Sequence, residues 1–329
     1  MIEPAARPLI VGLGEAMVRL SSPQKVPLES ATELEVHVAG AELNLLIAAT
    51  GLGAQGRWLT RLPASELGAM IRRHARSYGV EIEAHDEAGG RAGLLFLELG
   101  APPRPSRVLY DRKDSAASHL SADEFAWDEV LAGAGAAHVT GITCALGDGP
   151  MAATLAFLSA ARRLGVMTSF DMNYRSQLWD TARARGCYWR VLPLVDTLFV
   201  APGDLAMMCE RNDEIDALAA QVVQEFGVST VVLRERCEIS YQELGASVRV
   251  VGERDSTAVA SGFVVDELGA GDAAAGAFLV SMLLGETRSQ SAERCVRAYA
   301  RMLTIPGDSW SGTMHDLTDG YASSRKVVR

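Results

Sequence analysis

The chain is short of cysteine, has no excess of basic charge, and is nowhere apolar for long. Its five cysteines (Cys144, Cys187, Cys209, Cys237, Cys295) are odd in number, far apart and without a C-x-x-C pair, which argues against a disulfide framework or a cysteine zinc site. The six histidines contain no H-x-x-x-H or H-E-x-x-H pair, so no protein-ligated metal is expected. Lys and Arg number 31 against 41 Asp and Glu, a formal net charge of −10, which disfavours a protein that tracks a nucleic-acid backbone. The arginine pairs Arg72-Arg73 and Arg162-Arg163 fall on helix-like segments and read as solvated faces. No apolar run approaches the roughly 18 residues of a membrane span, and the N-terminal MIEPAARPLIVGLGE lacks the basic flank and cleavage pattern of a signal peptide. The expectation is a cytoplasmic protein with reduced thiols, no nucleic-acid partner and no membrane partner.

What is present is the composition of a folded protein, 48% hydrophobic and 22% charged over 329 residues, enough for one large α/β unit or two domains. LIVGLG (9–14) reads as a buried strand ending in glycines, followed by polar and Pro-bearing residues. ELNLLIAATGLG then has helical spacing, and strand-like and helix-like segments alternate onward. The pattern breaks at 93–112, where GLLFLEL and SRVLYDR are strand-like runs joined by the Gly/Pro connection GAPPRPS, a hairpin inserted in an α/β chain. Alternation resumes through STVVLRE, and 239–265 is again β-rich, with turns expected at Leu244-Gly245 and Gly252-Glu253. Two helical segments follow, 272–284 and 289–303. Such units favour a mostly parallel sheet covered by helices on both faces. With no low-complexity linker and no repeat, one domain is expected over 1–311, with a loose tail at 312–329.

The sharpest local signal is Asp266-Glu267-Leu268-Gly269-Ala270-Gly271-Asp272 before AAAGAFLVSMLL. Small residues between a strand and a helix leave amides free at the helix start, where the partial positive charge favours an anion such as phosphate. Asp272 reads either as an N-cap or first-turn carboxylate, or as a base that takes a proton from a hydroxyl attacking a phosphoryl group.

This segment resembles the C-terminal signature of the ribokinase/PfkB-type carbohydrate kinases, and the similarity extends from about residue 8 to 311. IVGLGEAMVRLS, VAGAELNLLIAATGLGA, LPASELGAMI, LYDRKDSAAS, SFDMNYRSQLW, VLPLVDTLFV and LTIPGDSW look like the 2-keto-3-deoxygluconate kinase branch. The resemblance implies a ribokinase-like, Rossmann-like fold with a β-lid, ATP as donor, and Mg²⁺ bound mainly through phosphates and water. It makes Asp272 similar to the family's general base and the amides of Gly269, Ala270 and Gly271 to its anion hole. Gly40 and Asn44 fall where the family meets sugar hydroxyls, and Arg112 and Arg175 match arginines that in this branch hold the substrate carboxylate. Tyr110 and Asn173 sit beside them, as contacts or as packing residues. Asp204 aligns with the glutamate of an N-x-x-E motif that organises Mg²⁺, with a helix N-cap as its plain reading, and Arg234 falls where relatives often have a Lys or Thr on the strand before the nucleotide loop, facing either the phosphates or solvent. The 93–112 hairpin belongs to the lid, through which relatives often form a homodimer.

The chain departs from this pattern in several places. Ala201 replaces the asparagine of N-x-x-E, and 234–239 (Arg234, Arg236 and Ile239 among them) carries no glycine where the family's nucleotide-side turn has one. Ala41 replaces a second glycine, Leu95 and Asp111 stand where the branch often has tyrosines, and Asp111 faces outward if Tyr110 and Arg112 face inward. The expected activity is phosphorylation of 2-keto-3-deoxygluconate at its primary hydroxyl. The alternatives are a kinase for another sugar, such as fructose, and a non-catalytic sugar-binding protein on the same fold.

Overall fold

Short runs rich in Val, Leu, Ile and Phe, buried on both sides, form the strands of a central sheet. A computed structural model of the chain describes residues 7–318 except 102, 212, 241–242 and 252–255. Its strands are β1 Leu9–Leu13, β2 Met17–Ser21, β3 Glu35–Ala39, β4 Gln55–Pro63, β5 Glu81–Glu87, β6 Leu94–Glu98, β7 Arg107–Asp111, β8 Ala134–Thr140, β9 Met167–Asp171, β10 Thr197–Val200, β11 Thr230–Ser240, β12 Glu243–Val251 and β13 Ser256–Phe263. The α-helices are α1 Ala41–Gly51, α2 Glu66–Ser77, α3 Trp127–Val130, α4 Gly141–Ala145, α5 Asp148–Arg163, α6 Thr181–Val191, α7 Pro202–Cys209, α8 Ile215–Phe226, α9 Ala270–Leu283, α10 Arg288–Met302 and α11 His315–Thr318.

The main sheet runs β13-β12-β11-β10-β9-β8-β1-β4-β5. It is parallel from β5 to β11, and the expected C-terminal meander extends it with antiparallel β12 and β13. Apolar residues of α1, α2, α9 and α10 form the core on one face, and those of α5, α6, α7 and α8 the core on the other. This is the ribokinase-like α/β architecture that the sequence implied. No helix among the described residues is long and apolar enough to cross a membrane.

Helices α1 and α9 are buried almost all round, as fits their nearly unbroken apolar sequences. Gly276 of α9 lies against α1 so closely that a Cβ there would sit 2.8 Å from the Leu45 carbonyl oxygen. That approach, one turn after residue 272, brings the start of α9 beside Asn44.

A second sheet, β3-β2-β6-β7, forms the lid. The expected hairpin is its β6/β7 half. The β2/β3 half was missed, because MVRLS and EVHVA are short and separated by the Pro-bearing segment that dominated the reading of 15–39.

Three further expectations are corrected. Leu244 and Gly245 lie inside β12, paired with Glu238 and Cys237, and the ladder continues through the glycine where a turn is expected. Residues 234–239 are likewise part of continuous β11 and form no turn. The tail is not loose over 312–318, where Leu317 is buried and its carbonyl accepts from Arg294 and Arg297. Gly252-Glu253, residues 1–6 and residues 319–329 lie outside the described residues.

Glu42, in the first turn of α1, is fully buried, and its Oε1 accepts from the Thr140 amide (2.9 Å), Thr140 Oγ1 (2.8 Å) and Thr143 Oγ1 (2.7 Å). Burial pushes its carboxyl up to about 7 against the pull of those bonds. The folded chain therefore binds the proton more tightly than the unfolded chain. The stability this contributes is complete below the ordinary glutamate value of 4.5 and is lost as pH rises through about 7. Unfolding measured across that window is expected to show a loss of at most about 3 kcal/mol from this group. Glu42→Gln should flatten that part of the profile, and an unchanged slope would contradict the assignment.

Candidate active site

A cavity of about 420 Å³ opens at the carboxyl ends of β1, β8, β9 and β10, between the lid and the start of α9. Of the twelve site residues expected from the sequence, all but Ala270 line it. Ala270 is fully buried as the first residue of α9.

The start of α9 is shaped by Gly269, its N-cap, at φ +78°. A Cβ at residue 269 would lie 2.5 Å from the Asp308 carbonyl oxygen, so both the left-handed backbone and the contact require glycine. The first-turn amides have no acceptor within the helix and stand at its positive end. Asp272 is a carboxylate of this first turn, as one half of its plain reading has it, and is not the N-cap, which is Gly269. Asn44 Nδ2 donates to Asp272 Oδ2 at 2.9 Å, and Gly40 caps α1 against the Glu15 carbonyl. Burial pushes the Asp272 carboxyl up to about 6. The Asn44 bond and the positive charges of Arg234 and Arg175 pull it down, while the Asp171 charge adds to the rise.

Arginines paired with carboxylates surround this point. Arg234 reaches from β11 beneath α9, donating to the Gly271 carbonyl at 2.8 Å and to Asp171 Oδ2 at 2.5 Å, with its guanidinium over the Phe199 ring. Arg112 is buried and bound to Glu15, whose other oxygen accepts from Ser115 Oγ. Its guanidinium carbon lies 5.6 Å from the Tyr110 ring centre, and its Nε has no hydrogen-bond partner among the described residues. Asp111 faces away and binds Arg91 at 2.7 Å, the arrangement that strand alternation requires, while Leu95 lines the cavity from the lid. Arg175 is exposed at the rim, its Nη1 on the Tyr174 carbonyl at 3.3 Å. Asn173, at φ +40°, donates its amide to Asp171 Oδ1 at 3.2 Å.

Asp204 lies in the first turn of α7, whose N-cap is the exposed Ala201, so its N-cap reading fails too. Burial raises its carboxyl, aided by the Asp171 charge and opposed by the Tyr174 amide and by Arg175 and Arg234. Arg236 also borders the cavity, bound to Glu267 at 3.0 Å.

Glu15, Asp171 and Asp308 line the cavity without having been singled out. Asp171 ends a parallel strand on the side where α/β sheets bind ligands, a signal that could have found it. Glu15 and Asp308 acquire their place only through partners about a hundred or more residues distant in sequence, Arg112 and Arg19.

The family model described as pfkB family carbohydrate kinase matches residues 7–305. The chain is 36% identical to the 2-dehydro-3-deoxygalactonokinase of Haloferax volcanii over 91% of its length and 92% of that protein. It is 34% identical to the 2-dehydro-3-deoxygluconokinase of Thermoproteus tenax, over 91% of this chain and 90% of that one. The crystal structure of 2-dehydro-3-deoxygluconokinase from Thermotoga maritima superimposes with a TM-score of 0.90 at 31% identity, covering 94% of this chain and 97% of that one. With that match over most of its length and these relatives above 30% identity, the chain belongs to the pfkB family of carbohydrate kinases.

Proposed function

We propose that this chain transfers the γ-phosphoryl group of ATP to the primary hydroxyl of 2-keto-3-deoxygluconate. The observation that carries the reading is the placement of Asp272. It lies one residue past the open amides of α9, oriented by Asn44, in the same cavity as a buried arginine on the lid side. In this reading Asp272 accepts the hydroxyl proton while the hydroxyl oxygen bonds to the γ-phosphorus. The bond to the bridging oxygen breaks, ADP leaves, and Asp272 returns the proton to solvent. The 269–271 amides and Arg234 meet the charge on the phosphates, and Arg112 and Arg175 take the carboxylate of the sugar acid. Asp171 and Asp204 both face the cavity and suit the water shell of a magnesium ion, which when bound neutralises phosphate charge.

A homodimer through the lid belongs to the same proposal. The strand registers align Val36, Leu20, Phe96 and Leu109 in one row across the lid sheet, and Val36 and Leu109 are more than half exposed. An exposed apolar row of this kind suits an interface between copies. The cytoplasm, where ATP is at hand and the free thiols Cys144, Cys187, Cys209 and Cys295 stay reduced, is the proposed location.

A neutral keto sugar such as fructose is the second reading. It is favoured by the apolar Leu95 and by Glu15, which already takes part of the Arg112 charge.

ADP release with Mg²⁺ across acid and neutral sugars tests the reading. Turnover is expected with 2-keto-3-deoxygluconate or its galacto counterpart, falling about 10²–10⁴-fold in Asp272→Asn. Full activity in that variant, or no turnover from folded protein on any sugar, would contradict it. Replacing Arg112 with Met separates the two substrates. With an acid sugar KM should rise roughly 10–100-fold, the worth of a lost charged hydrogen bond, whereas a neutral sugar should be little affected.

The base must be ionised, so kcat should fall as pH drops through about 6. Asn44 stabilises the charged form, so Asn44→Ala should move this acid limb to higher pH. A limb that stayed in place would detach Asn44 from the base.

A further inference from the structure

Arg19 lies on β2, in the interior of the lid sheet, yet its side chain is turned into the protein and is 1% exposed. Each of its donor groups is engaged. Nε donates to Ser21 Oγ at 2.8 Å, Nη1 to Asp308 Oδ2 at 3.0 Å, and Nη2 to Asp266 Oδ2. Both carboxylates are themselves buried, at 2% and 3% exposure. A lysine has neither the planar fork nor the reach to span three acceptors at once.

The two carboxylates belong to the segments that build the anion site. Asp266 Oδ1 accepts from the Leu268 amide and Oδ2 from the Gly307 amide, both at 3.1 Å, so it pins the loop entering α9 to the 307–308 turn. Asp308 supplies the carbonyl against which Gly269 packs. Hydrogen bonds thus link a lid strand, through Arg19, to Asp266 and Asp308, the first bonded to the Leu268 amide and the second packed by its carbonyl against Gly269, the residue that caps α9. Without the guanidinium, two buried carboxylates would face each other with no counter-charge beside a site meant for phosphate.

Resting on the kinase reading above, we propose that Arg19 is a positioning residue for phosphoryl transfer. From the lid sheet it holds Asp266 and Asp308, and through them the 266–269 loop, so that the α9 amides stand ready for the charge that develops on the moving phosphoryl group. It touches no reacting atom and acts only through the geometry it fixes, so it should govern the rate at saturation and leave ground-state binding of either substrate nearly alone.

The test compares Arg19→Lys, Arg19→Ala and Asp308→Asn with the parent in kcat and in KM for sugar and ATP. For Arg19→Lys, kcat is expected to fall roughly 10²-fold, the scale of losing an oxyanion-hole donor, with either KM changed less than about threefold. Millimolar guanidinium should restore part of the lost kcat in Arg19→Ala and have no such effect on the parent. Should Arg19→Ala not fold, Asp308→Asn, nearly the same shape, carries the same expectation of lower kcat at unchanged KM. Parent-level kcat in folded Arg19→Lys or Asp308→Asn would overturn the proposal, as would a loss expressed wholly in KM. A parent enzyme inactive on every sugar would overturn the kinase reading itself, an outcome distinct from an active parent whose Arg19 variants match it.

Discussion

Everything at the site depends on how closely α9 can lie against α1. The glycine at residue 276 lets the two backbones meet, and that contact puts Asn44 within 2.9 Å of Asp272 and aims the open end of α9 at the carboxyl edge of the sheet. A carboxylate and a cluster of amides are a poor pair for holding phosphate unless the carboxylate has other work. In the proposed reaction its amide partner, its burial and its place in the first turn suit it to take a proton beside the open amides of α9.

Around that point the chain buries charge in matched sets. Glu15 pairs with Arg112 on the lid side of the cavity, Asp171 with Arg234 beneath α9, and Asp266 and Asp308 with Arg19 between the lid sheet and the start of α9. Buried pairs contribute little net stability, because desolvation offsets most of their attraction. What they do confer is fixed geometry in a space lined with titratable groups, where a free side chain would move with each change of protonation. Asp308 shows the tension: burial pushes its carboxyl up to about 6 while Arg19 draws it down.

Local patterns made the β/α alternation, the meander and the 93–112 hairpin legible, because each rests on periodicity and turn chemistry within a dozen residues. The Gly269 to Asp272 cluster was legible for the same reason. The resemblance to the family added Asn44, Arg112 and Arg175, which no spacing argument would have joined. The β2/β3 half of the lid was hidden, since its two short strands cover themselves only by pairing with each other and with β6. Arg19, Glu15 and Asp308 could not be read locally at all. Each looks like an ordinary surface charge until the fold brings up its partner. The Leu244-Gly245 error has a simple cause, because a strand tolerates glycine wherever both its neighbours continue the ladder.

The central claim is that the hydroxyl attacking phosphorus beside Asp272 is the primary one, held there by a sugar whose far end meets Arg112. Phosphorus NMR of the product formed from ATP, Mg²⁺ and 2-keto-3-deoxygluconate tests it most directly. A phosphomonoester signal split by the two protons of a methylene group is the expected result. Splitting by a single proton, which marks a secondary hydroxyl, or inorganic phosphate alone, would contradict the account.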